Sequence, residues 1–540
     1  MKTNIKYIIY FICYVSLLSV SACSNLKEEV FSDITEDTYK YEPGDANKIV
    51  GAIYTNLRGY LGFYAMFAQE ICTDESVQPA NAAGWDDGGV FRRMHLHSWT
   101  SEQTHVGDLW NLHYTGVLLA NRVIQRLQDE SFPLASTENR QTLIAETRAL
   151  RAFHYWQIVD NWGNAPLVTE PTNDLPANAS KKDIYDFIVS ELTDCMGNLP
   201  EKKDASNYGR FTIWAAKALL ANVYLNAVVY SGTAQWEECI TQCNDILNSG
   251  VYQLDANYLD PFKAKNEVSK ENIFVIPFDQ IYAKGFFYFM ATLHSSNQKT
   301  YNLEVSPWGP GAFKAVPQFI NTYDNDDQRL TDTWLSGPQF GADGSTLVGA
   351  YDLINQPLIF LNSMPDGIFT GEADGYRWKK YEIPMGSKEN LNNDYVVFRL
   401  GQVYMMKAEC LLRSGQADAA AEIVTLVRQR AFKNTNPQKA TVTGTELQQP
   451  SKYVYGTVEN YVLTPQGKSY PEQFGRFYDE LGWEFAGEMT RRRDMIRFGH
   501  YTKAEWLSHK PNGDYRSVFP IPQLVIDANP KLKQNDGYTQ

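Results

Sequence analysis

Apolar positions in this chain recur at helical spacing in separate blocks, with stretches between them that carry no long period. Ile49, Ile53, Leu57 and Leu61 open the series within 42–70. Leu109, Leu112, Val117, Leu118, Val123, Ile124 and Leu127 give 106–127 one or two apolar faces, the pattern of an amphipathic helix. The most regular segment is 137–160, where Glu146, Arg148 and Arg151 punctuate Leu143, Leu150, Phe153, Tyr155, Trp156 and Val159. The turn Trp162-Gly163-Asn164-Ala165-Pro166 ends it, because proline disfavours helical geometry in the residue before it. The same spacing predicts helices over 181–198, 210–229 and 235–248. It predicts another block over 403–430, hinged at Gly415, and a last helix over 480–496.

Between the blocks the chain changes character. Residues 72–104 are rich in Asp, Gly, Trp and His. Residues 250–400 hold many turn formers and short aromatic runs such as Phe286-Phe287-Tyr288-Phe289. This predicts long loops, short helices and a few strands laid over a helical frame, with Tyr395 to Leu400 the best strand candidate. The interval 440–470 is a polar excursion with further short strands. No stretch has the composition of a flexible linker, so one integrated body is expected over 23–540, with an N-terminal region of about 40–230 and a C-terminal region of about 270–540.

The first residues are of another kind. Lys2 and Lys6 precede an apolar run from about Ile8 to Val20, closed by Ser21-Ala22-Cys23. The run is too short for a membrane span, which needs about 20 apolar residues, and reads as a secretion signal over 1–22. Small residues before a cysteine resemble a bacterial lipobox, which makes Cys23 the acylated N-terminus of an exported lipoprotein.

Composition narrows the partners. Without Lys2 and Lys6 the formal charge moves from −14 to −16, which argues against nucleic acid or an anionic membrane face. Thirty-three tyrosines and twelve tryptophans exceed what core packing needs, and sugar rings are ligands that pack on such side chains. Setting aside Cys13 in the leader and Cys23, the cysteines are Cys72, Cys195, Cys239, Cys243 and Cys410, an odd and scattered set that is no disulfide framework. Cys239 and Cys243, one helical turn apart, share a face. His95, His97, His105 and His113 lack a second cluster to complete a metal set, and no cofactor is implied.

Several segments together resemble the SusD/RagB family of lipid-anchored outer-membrane nutrient-binding proteins of Bacteroidota. They are the lipobox at Cys23, Trp99-Thr100 with Trp110-Asn111 and Ala120-Asn121, and the run from Ala145 to Tyr155 leading through Trp162-Gly163-Asn164. Gly209-Arg210 with Ala215 to Tyr224, Tyr404 to Leu412, and Glu484 to Gly499 complete the order, followed by Phe519-Pro520-Ile521-Pro522. The resemblance implies a mainly α-helical fold of four tetratricopeptide-like helix pairs with a loop-rich ligand-binding half. It also implies a glycan ligand, no catalysis, and partnership with a SusC-like TonB-dependent outer-membrane transporter; a peptide ligand is the alternative.

A sugar chain needs an aromatic face flanked by planar polar groups. Trp85, with Asp86 and Asp87 in a glycine-rich turn, offers that mixture, as does Asp74 upstream. Arg377 beside Trp378 and Tyr395 are further ligand candidates, whereas Trp99 and Trp110 read as core. Glu146, Arg148, Arg151, Arg491, Arg493 and Asp494 read as framework residues that satisfy one another and neighbouring loops. A glycoside hydrolase needs two carboxylates about 5–10 Å apart, one kept protonated. Asp86 and Asp87 are adjacent and point apart in a strand, and nothing isolates Glu372 or Asp374.

Overall fold

The computed structural model describes residues 39–61, 68–81 and 83–539. The leader and Cys23 lie outside the described residues, as does the Leu61 side chain. The principal helices are α1 (Asp45–Leu61), α2 (Thr104–Gln128), α3 (Arg140–Trp162), α4 (Lys181–Cys195), α5 (Ile213–Leu225), α6 (Trp236–Asn248), α7 (Leu400–Arg413), α8 (Ala417–Phe432), α9 (Gly475–Phe485) and α10 (Arg491–Arg497). Each packs on its neighbour in the chain or on the helix after that, so α2 lies on α3, α3 on α4, α5 on α6, and α7 on both α6 and α8.

Local chemistry sets the ends. Asn139 accepts the Thr142 N–H at 3.0 Å to open α3, and Ser180 with Asp183 forms a reciprocal capping box on α4. From Ala145 onward α3 is buried on nearly every face, which makes it the central helix of the frame. Ala215, Ala216, Ala218 and Ala221 are buried along α5 and allow close approach to α6. Cys239 and Cys243 are buried there and unlinked.

One predicted helix is two. The 480–496 segment breaks after Phe485 and resumes at Arg491. Gly487 has φ +74°, and a Cβ there would lie 2.2 Å from the Trp378 indole nitrogen, so the turn needs both the backbone angle and the missing side chain. The loop-rich half is otherwise as its turn formers predict. Its longer strands are β2 (Asn272–Ile276) and β6 (Tyr395–Arg399), paired antiparallel, and Leu400 already belongs to α7.

A second small sheet has the order β1 (Ser76–Val77), β3 (Lys314–Ala315), β5 (Arg377–Trp378) and β4 (Trp334–Leu335). One apolar core extends from Ala46 on α1 to Ile521 near the C-terminus.

Buried charge joins the two halves. Glu480 and Glu484 on α9 face Arg428 and Arg430 on α8, Arg399 at the head of α7, and Arg329 from the loop-rich half. Arg399 also reaches Glu271 at 2.8 Å and Glu488 at 2.7 Å, Asp327 pairs with Arg329, and Lys380 donates to Glu488. Five buried basic side chains thus meet five buried carboxylates, and the set is neutral when all are ionised. Burial works against the Glu484 charge, but Arg430, Arg399 and Arg329 hold its carboxyl at about 2.

The framework residues of α3 and α10 find partners on other elements more than on one another. Arg148 and Arg151 both donate to Glu191 on α4, with Arg151 Nε at 2.9 Å. Glu146 accepts from Arg210 Nε at 2.9 Å and from the Tyr54 hydroxyl. Arg493 lies 3.1 Å from Asp160, and Asp494 pairs with Arg497. Arg151→Ala leaves Glu191 buried without its closest partner. Urea unfolding is expected to show a loss of about 3–5 kcal/mol. An unchanged midpoint would contradict the framework role.

Candidate functional site

The sheet order places the site. β1 runs antiparallel to β3, with Val77 opposite Lys314. The chain leaving β1 and the chain entering β3 therefore emerge at the same edge. The first carries Trp85, the second Trp308, and the two loops touch, since a Cβ on Gly309 would lie 3.8 Å from the Ala83 methyl.

Trp85 and Trp308 meet edge to face, with ring centroids 6.4 Å apart, and Phe287 lies 5.7 Å beyond Trp308. All three are half-buried, so they form an arc of aromatic surface that water still reaches. Gly84, Gly88 and Gly89 take positive φ, as the turn around Trp85 demands. The Trp85 indole N–H donates to Asp87 Oδ2 at 2.8 Å, which fixes the ring on its own loop. Asp86 faces Arg92 at 3.8 Å. Beneath Trp85, Phe91 packs edge-on at 6.3 Å and His105 stacks on Phe91; burial pushes His105 down to about 4.

Three residues expected at the ligand are interior instead. Asp74 is fully buried, ion-paired with Arg491 at 2.7 Å, and accepts from Tyr455 at 2.7 Å. Burial opposes its charge, and Arg491 still holds the carboxyl below the usual range. Tyr395 is buried on β6 with its ring stacked on Tyr381.

Arg377 is also fully buried, and its guanidinium donates to the carbonyls of Asp374 at 2.7 Å, Glu372 at 2.8 Å, Pro310 at 3.2 Å, and Gly375. It ties the 308–311 loop to the 372–375 loop from below, and so positions Trp308. Glu372 is a tie as well. It accepts from His294 and from the backbone N–H groups of Ala350, Tyr351 and Leu353, which outweigh burial and hold its carboxyl below the usual range.

Of the candidates, the structure brings together Trp85, Asp86 and Asp87. Trp308 and Phe287 join them without having been singled out in the sequence, although Trp308 stands in Ser306-Pro307-Trp308-Gly309-Pro310-Gly311, the same signal of an indole among turn formers that singled out Trp85. Among the described residues, no group of three His, Cys, Asp or Glu is placed to hold a metal, and no helix is long and apolar enough to cross a membrane.

With this geometry in hand, comparison with known proteins gives a consistent answer. The fold class is that of the mainly α-helical SusD-like structures. A sequence model described as the SusD family matches residues 248–538, and one described as starch-binding associating with outer membrane matches 30–225. The chain belongs to the SusD family.

It is 25% identical to SusD-like protein P25 of Formosa agariphila across 97% of this chain and 98% of that one. It is 26% identical to the starch-binding protein SusD of Bacteroides thetaiotaomicron across 73% of this chain and 72% of that one. The surface glycan-binding protein A of Bacteroides thetaiotaomicron, solved in complex with laminarihexaose, superposes with a TM-score of 0.68 at 20% identity, covering 92% of this chain and 99% of that one.

The strand that leads to Trp85 follows a pair of buried carboxyls. Glu75 accepts the Gly487 N–H at 2.7 Å, and Glu70 accepts the Met489 N–H. Burial pushes Glu75 up to about 7, and burial with the Glu75 charge pushes Glu70 well above its ordinary value. A carboxyl raised in the folded state contributes stability that is fully present below the ordinary value of 4.5 and is lost as pH rises through about 7. Glu75→Gln cannot ionise. Its melting temperature is expected to fall less than that of the wild type between about pH 5 and about pH 8. Parallel curves in a melting series would contradict the shift.

Proposed function

We propose that this protein is a non-catalytic glycan-binding lipoprotein, anchored through Cys23 on the outer-membrane surface. It holds a sugar chain against the Trp85–Trp308–Phe287 arc and passes it to a SusC-like TonB-dependent transporter. The helix pairs α2/α3, α5/α6 and α7/α8 fit the tetratricopeptide-like reading of the frame, and the arc belongs to the loop-rich half. The body over 23–540 acts as one unit in this reading.

The observation that carries the proposal is the arc itself. Three half-buried aromatic rings follow one another in contact, Trp85 and Trp308 on two touching loops and Phe287 on a third segment, with Asp86 and Asp87 at one end. Indole faces pack against the C–H surface of a sugar ring, and carboxylates accept hydrogen bonds from vicinal hydroxyls. Membership of the SusD family supports the reading, and so do fold relatives described as glycan-binding.

Calorimetry on the protein starting after Cys23, with long glycans, their oligosaccharides and a peptide mixture, tests it. Saturable glycan binding is expected, with Trp85→Ala and Trp308→Ala each costing about 2 kcal/mol or more, the scale of an aromatic anchor. Peptide binding without glycan binding, or glycan binding unaffected in both folded variants, would overturn the assignment.

A further inference from the structure

Away from the arc, a solvent-open cleft of about 200 Å³ lies between α8, the 439–447 segment and α9. Its floor is the indole of Trp483, which is buried beneath two cations. The Arg476 guanidinium sits 4.5 Å from the ring centroid and the Lys452 ammonium 5.4 Å. Arg428 and Lys439 complete the basic wall.

The acids around the cleft already have partners. Asp324, with Asp326, is taken by Lys439 at 2.8 Å, and Glu446 accepts the Thr443 N–H and hydroxyl at the head of a short helix. Glu480 is held by Arg329 and Arg428 and also accepts from Arg476 Nη2 at 3.3 Å. Asp479, 3.5 Å from Arg476 Nη1, accepts from the Ser451 hydroxyl and the Lys452 backbone N–H.

Two basic groups keep free capacity. Arg476 Nη1 is buried with no hydrogen-bond acceptor, and Lys452 forms no ion pair among the described residues. Burial and the Arg476 charge together push the Lys452 ammonium below its ordinary value. Asp479 and Glu480 offset the Arg476 charge, and an anion beside Lys452 would supply the ion pair that this ammonium lacks.

We propose that this cleft is a second ligand site, which takes the carboxylate of a single uronic-acid-type sugar unit. Arg476 supplies its free Nη1 donor to the carboxylate and Lys452 a point charge. Only the sugar part of this assignment rests on the glycan reading above, because no residue of the cleft belongs to the arc.

Titration of the folded protein with glucuronate, glucose and inorganic sulfate at low salt, by calorimetry or NMR, tests it. Glucuronate is expected to bind saturably and glucose not at all. Lys452→Met is expected to weaken glucuronate by about tenfold or more, the loss of one charge-assisted contact. Arg476→Gln gives the same direction in a second variant, with its melting curve checked alongside. Trp85→Ala is expected to keep glucuronate binding, which separates this site from failure of the arc. The proposal is overturned by absence of glucuronate binding, by sulfate binding without glucuronate, by equal binding of glucose, or by undiminished affinity in both cleft variants.

Discussion

The loop-rich half of this protein has little regular structure of its own; it shares one apolar core with the helices, and buried charge on α9 sets where its loops dock. Several of its strands are two residues long, too short for backbone ladders to fix their positions. Glu480 and Glu484 instead gather arginines from α7, α8 and the 328–333 helix into one dry cluster. Replacing such ion pairs by apolar side chains need not cost stability, but removing one partner strands a buried charge. The network therefore acts as a constraint on which loop packs where. Arg329 reaches α9 only if the 320s loop is in place, and Lys380 reaches Glu488 only if β5 is.

From that constraint the aromatic arc follows in short steps. The turn after α9 is pinned by Glu70 and Glu75, and Glu75 immediately precedes β1. β1 pairs with β3, and their shared edge brings the Trp85 and Trp308 loops together. Arg377 closes the arrangement from beneath through carbonyls of both the 308–311 and 372–375 loops. The arc is thus built on buried charged groups that lie beneath it. Such pre-organisation lowers the ordering cost of binding.

Much of the frame was legible in the chain. Helical periodicity marked α2 to α8 to within a few residues, and Gly415 at φ +78° is the turn expected between α7 and α8. The break inside 480–496 was not legible, because it depends on Trp378 lying against Gly487, a contact between positions 109 residues apart that no local period encodes.

The site was half legible for a similar reason. Trp85, Asp86 and Asp87 declare themselves through neighbouring glycines. Asp74, Arg377 and Tyr395 carry polar chemistry that sequence alone cannot divide between ligand and framework, and tertiary packing gives them interior partners: Arg491, the Pro310 carbonyl and Tyr381. Trp308 offered the right signal, but its place beside Trp85 comes from strand pairing.

The most direct test of the account is a crystal structure of the protein starting after Cys23 with an oligosaccharide bound. The account predicts sugar rings against Trp85 and Trp308, with Phe287 closing the arc, and with Asp74, Arg377 and Tyr395 still in their interior contacts. An oligosaccharide seated on another surface with the arc bare, or one that engages Asp74 or Arg377 directly, would contradict it.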